Sequence, residues 1–195
     1  MKDIILVCQY NSKPYLLNTT NNAVLWTSGY TFNSTSYSSS RMHHITIASG
    51  NTCRNTLVMD KDVLFVSSDF KLIRVKCEAP YSESEVATDV RDMCEKNGEI
   101  IVLSTKGIVR NLTTQKTIDL TTKAKPDSWM CVHGGDKQSD GTYTSKYILA
   151  VGFDVSSTTN HFFLLDNDMN GIQSYVSRKA SNSSICIIYS RCSSK

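Results

Sequence analysis

A recurring pattern of strands constrains this chain more than any single motif. Four stretches each run from an acidic or polar residue into an apolar, β-branched segment, through a short polar turn, and into a second such segment. They are Asp3–Cys8 leading to Pro14–Leu17, Asp62–Val66 leading to Lys71–Val75, Glu99–Leu103 leading to Gly107–Leu112, and Tyr147–Val151 leading to His161–Leu165. In three of them another polar turn, at Thr19–Asn22, Thr113–Lys116 or Asp166–Gly171, precedes a third strand at Ala23–Trp26, Thr117–Leu120 or Ile172–Val176. Composition points the same way. With 26 Ser and 19 Thr among 195 residues and little Ala, the chain is rich in β-tolerant hydroxyls and poor in the strongest helix former.

One more strand precedes each unit after the first, at Ile45–Ala48, Val90–Cys94 and Trp129–His133. The fourth member of that set stands at the other end of the chain, at Ile185–Tyr189. The order is then b-c-d, a-b-c-d three times, and a lone a, with a period of roughly 49 residues. This pattern resembles the β-propeller superfamily, in the manner of WD-repeat and quinoprotein-like propellers. The likeness is one of strand pattern. No Gly-His dipeptide opens a unit, no Trp-Asp pair ends a third strand, and Gly134-Gly135 falls in a loop.

The resemblance implies an all-β fold: a small propeller of about four blades in one domain spanning 1–195. The blades are expected at 1–28 plus 184–195, 43–87, 88–122 and 127–177. Ile185–Tyr189 is expected to pair beside Asp3–Cys8 and close the ring, leaving no open radial edge and making the chain a complete ring. Only about one cut point in four would give so matched an order. The second unit departs from the pattern, since Glu78–Glu85 reads as a poor strand and that blade is expected to lack its outer strand. Two long insertions, Gly29–Met42 and Gly134–Lys146, are expected on one face of the disc as binding loops.

Charge and targeting narrow the partners. Twenty-one basic against 18 acidic residues give +3, and no basic cluster forms, so a nucleic-acid footprint is not expected. The N-terminal apolar run is too short for a signal peptide or a membrane span, so a membrane partner is not expected either. Seven cysteines without CxxC spacing read as buried thiols in a reducing compartment, hence a cytoplasmic or nuclear protein. Asn-x-Ser/Thr triplets begin at Asn18, Asn33, Asn111 and Asn182, close to the number chance supplies, and carry no weight.

Few residues suggest chemistry. Asp166, Asp168 and Asn170, with Gly171 in the sixth place, match the first half of a calcium loop, where alternating oxygens wrap a hard cation. Ser174 and Ser177 stand where the later ligands would be, so a hairpin turn built from Asp, Asn and Gly is the competing reading. His43, His44, His133 with Cys131, and His161 lack the paired spacing of a zinc site. No nucleophile elbow, phosphate loop or metalloprotease motif occurs. Arg178-Lys179-Ala180-Ser181 resembles a basophilic kinase substrate, and equally a polar turn. Trp26 and Trp129 fall within strands, where packing between blades is the default use.

The sequence therefore supports a non-catalytic protein-interaction scaffold, with protein partners that include a second copy of itself and no cofactor apart from the calcium loop. The alternative is an enzyme or ligand-binding propeller with a metal or small molecule at a central channel.

Overall fold

The computed structural model describes residues 3–9, 12–33, 43–46, 52–53, 55–59, 61–154, 157 and 159–177. They form four antiparallel sheets that follow one another along the chain. Sheet 1 holds β1 (Ile4–Cys8), β2 (Tyr15–Asn18), β3 (Ala23–Thr27) and β4 (His43–Thr46) in the order β3-β2-β1-β4. Sheet 2 runs in order through β5 (Thr52–Cys53), β6 (Thr56–Met59), β7 (Asp62–Val66), β8 (Leu72–Lys76) and β9 (Ser82–Ala87). Sheet 3 runs through β10 (Asp92–Lys96), β11 (Glu99–Leu103), β12 (Ile108–Asn111) and β13 (Thr117–Asp119). Sheet 4 runs through β14 (Ser128–His133), β15 (Ile148–Asp154), β16 (Thr159–Leu165) and β17 (Gly171–Ser177). A single 3-10 turn, Leu120–Thr122, is the helical content of the described residues. All-β is the fold class, and none of the four sheets closes on itself.

Strand alternation explains how the sheets stack. In β7, Val63 and Phe65 join the core shared with sheet 1, while Leu64 and Val66 join the core shared with sheet 3. The same division recurs in β11, where Ile100 and Val102 face sheet 2 and Ile101 and Leu103 face sheet 4. These central strands are buried on both faces, which is why they read as unbroken apolar runs rather than alternating ones. Each fully buried Leu, Ile, Val or Phe contributes about 1.5–3 kcal/mol, so the three cores supply most of the driving force. Trp129 and Phe163 pack in the third core with ring centroids 5.4 Å apart, in the packing role expected of a strand tryptophan.

Several expectations need correcting. The free side of β1 is taken by β4, with Leu6 opposite Ile45 and Cys8 opposite His43. A strand has two edges and β2 holds the other, so in this structure the place expected for Ile185–Tyr189 is filled; that segment lies outside the described residues. Residues 45–46 accordingly belong to the first sheet rather than the second. The place beside β7 expected for residues 45–48 goes instead to Thr56–Met59, which pairs with β7 through a tight turn that sets Met59 opposite Asp62 and has β5 on its other side. Nor does sheet 2 lack its outer strand. Ser82–Ala87 pairs along β8 despite its acidic residues because those charges are held: Glu85 lies 3.1 Å from Lys71, and Glu83 accepts from the Ser28 hydroxyl at 2.6 Å and the Gly29 amide at 2.9 Å.

Candidate functional site

The two insertions read as binding loops leave opposite ends of the strands rather than one face. Residues 28–33 run along the β7–β8 turn, where the Ser68 amide donates to Thr31 O and the Asn33 amide to Val66 O, both at 2.8 Å. That turn also sits beside the entry to β10, since the Val90 amide donates to Phe70 O at 2.8 Å. The Gly134–Lys146 loop is found at the far end of β10, against Lys96. Residues 34–42 of the other insertion lie outside the described residues.

Gly134–Lys146 is a docked hairpin. Lys137 bridges Tyr143, and the Thr142 amide and hydroxyl both donate to the Asp140 carboxylate. At its neck the Lys96 ammonium donates to the carbonyls of Gly134, at 2.8 Å, and Ser145. The same ammonium lies 4.5 Å from the centroid of the Tyr143 ring, whose hydroxyl donates to Glu95. Burial holds the Lys96 pKa below its usual value, and burial together with the bond to Glu95 pushes the Tyr143 phenol up to about 12. His133 accepts the Gly135 amide on Nδ1 at 2.9 Å. Two further polar contacts stitch the same seam: Arg91 Nε donates to Trp129 O and the Val132 amide to Asp92, both at 2.9 Å. These groups are spent on holding sheet 4 to sheet 3, and Lys96 is only 3% exposed, too enclosed to meet a substrate.

The half calcium loop uses its carboxylates locally. Asp166 accepts from the Asn170 amide at 2.8 Å and the Asn170 side chain at 2.9 Å, and Asp168 turns to Lys116 at 2.6 Å. Among the described residues no group of three His, Cys, Asp or Glu side chains is placed to hold a metal. His161 lies apart, with Nε2 2.8 Å from Asp154, which also accepts the Asp127 amide at 3.0 Å. Cys8, Cys77 and Cys94 are buried, and burial pushes the Cys77 thiol up to about 12, with Asp62 adding to the shift. Among the described residues no helix is long and apolar enough to cross a membrane.

What the sequence reading missed lies on sheet 4. β17 is its outer strand, seven residues without a charge, and carries Ile172, Tyr175 and Val176 at 50%, 47% and 61% exposure. The outer strands of sheets 2 and 3 are blunted, whereas β3 of sheet 1 is uncharged like β17 but has five residues. β13 has three residues and ends on Asp119, and two acids of β9 are engaged, Glu85 by Lys71 and Glu83 by Ser28. Beside β17 opens a small cleft of about 110 Å³ between sheets 3 and 4, lined by Ile118, Leu120, Phe163, Leu165 and Ile172, with Lys123 supplying a charge. The signal available in the sequence is the length of β17, seven residues without a charge, against five in β3.

No family model and no curated protein matches this chain. Among solved structures, a chain of the S. cerevisiae assembly described as Dbp5 bound to Nup159, Gle1, IP6 and ADP is similar over 90% of this chain at 10% identity, with a TM-score of 0.54. The match covers 45% of that chain, so the present chain spans less than half the length of the solved chain it resembles. At this identity the likeness concerns the fold alone.

Proposed function

We propose that this chain is a non-catalytic protein-interaction module that receives an extended segment of a partner along the free edge of β17, over the cleft between sheets 3 and 4. The observation that carries the reading is the juxtaposition itself. Among the described residues no strand lies beyond β17; its uncharged edge offers backbone hydrogen bonds, and the apolar cleft beside it offers a place for alternate side chains of an added strand. Buried thiols support a reducing compartment for the protein.

We further propose that the four sheets are blades of a small propeller. Consecutive sheets share three apolar cores, and β10 packs beside both β6 and β14, as the inner strands of neighbouring blades do. Val7 of sheet 1 and Val151 of sheet 4 are buried and belong to none of the three cores. A fourth core between sheets 4 and 1 would employ them.

The docking reading is tested by selecting peptides from a displayed random library against the folded chain and mapping the binders by amide chemical shifts. Selected peptides should be extended, with apolar residues at alternate positions, and should perturb Ile118, Leu120, Phe163 and β17. Perturbation confined to the Gly134–Lys146 hairpin, or no selected binder, would overturn the assignment.

A further inference from the structure

We infer that the partner strand on β17 is the β17 of a second copy of this chain, paired antiparallel about a two-fold axis through Tyr175. The inference rests on the docking reading above and names its occupant. The bulge on β17 sets the register. β17 pairs with β16 through Leu165 opposite Gly171 and then Leu164 opposite Gln173, so Ile172 is the extra residue and regular pairing runs from Gln173 to Ser177. A bulge discourages strand addition where it lies, which confines a partner to the same five residues. Their centre is Tyr175.

Antiparallel pairing of this stretch with itself is self-complementary, as a two-fold contact must be. Gln173 stands opposite Ser177 of the second copy, Ser174 opposite Val176, and Tyr175 opposite its own symmetry mate. No like charges meet, because the stretch has none. The exposed tyrosines, 47% accessible in the single chain, become a cross-strand aromatic pair, one of the more favourable pairings in antiparallel sheets. On the other face Val176, 61% exposed, gains a neighbour in the second copy and brings that copy's strand up to the cleft. Two four-stranded sheets thus become one continuous eight-stranded sheet, and the exposed edge disappears.

A charge swap at Tyr175 tests this in the full-length chain. Because the side chain projects from an outer strand, Tyr175→Lys and Tyr175→Glu leave the sheet cores intact, which circular dichroism verifies. Sedimentation equilibrium should show a dimer for the wild type. Each variant alone sets like charges directly opposite one another and should weaken the dimer roughly tenfold or more. An equimolar mixture of the two variants should restore a mixed dimer, since Lys then faces Glu. A wild-type monomer, variants that dimerise as well as the wild type, or a mixture that stays monomeric would each overturn the inference. If the wild type is monomeric yet binds selected peptides along β17, self-pairing fails while the docking reading stands. If it neither dimerises nor binds them, both fail.

Discussion

The Lys96 ammonium donates to the Gly134 carbonyl at 2.8 Å and to the Ser145 carbonyl across the neck of the same hairpin. One buried cation thus fixes both ends of a loop that would otherwise be free to spread. Lys96→Met keeps most of the aliphatic stem of the side chain and removes the donor, leaving two carbonyls without that partner in an enclosed place. The expected cost is about 3 kcal/mol, the range of hydrogen bonds to charged groups. Urea unfolding measures it, and limited trypsin digestion should show faster cutting at Lys137 and Lys146. Unchanged stability and digestion would mean that the hairpin is held by other contacts.

Gly107 and Gly98 form a matched pair. Both have positive φ, at 84° and 81°, but a Cβ on Gly107 would lie 2.2 Å from the Trp129 ring, whereas one on Gly98 would meet nothing within 4 Å. Gly98→Ala should therefore cost about 1 kcal/mol for the backbone alone, and Gly107→Ala about 2–4 kcal/mol, since the indole must also move. Equal losses in urea unfolding would contradict the close approach of the β11–β12 turn to Trp129.

Asp154 ties the β14 entry to the β15–β16 turn. Its pKa is lowered first by the hydrogen bond to His161, with the Asp127 amide adding to the effect. A carboxylate depressed in the folded state stabilises it above its unfolded pKa of about 4, and that contribution is lost as pH falls through the folded value. The melting temperature of Asp154→Asn should lie below that of the wild type near pH 5, and the two should converge toward pH 2. A gap that persists undiminished into acid would remove the charge as its cause.

How much of this was legible in the sequence depends on burial. β7, β11 and β15 are buried on both faces, so Asp62–Val66, Glu99–Leu103 and Tyr147–Val151 stood out as apolar runs. Strand β10 was placed two residues early because its last positions, Glu95 and Lys96, look solvent-exposed by type. They are buried by their bonds to Tyr143 and the hairpin neck, contacts nearly 40 residues or more away in sequence that no local pattern carries. Strand β9 was discounted for the same reason, its acids being satisfied by Ser28, Gly29 and Lys71. Closure through Ile185–Tyr189 followed from counting strands, and local composition gave no warning that His43–Thr46 would fill the edge of β1. The length of Gly134–Lys146 marks an insertion, yet length alone carries no sign of the Lys96 contacts that clamp the hairpin down.

The most direct measurement is amide hydrogen exchange along β17 as a function of protein concentration. Among the described residues β17 has β16 as its one neighbouring strand, so the amides of Gln173–Ser177 that face away from it should exchange rapidly in dilute protein. Pairing with a second copy predicts that these amides become protected as concentration rises, while β15 and β16 stay protected throughout. Exchange in β17 that is rapid and unaffected by concentration would contradict the account.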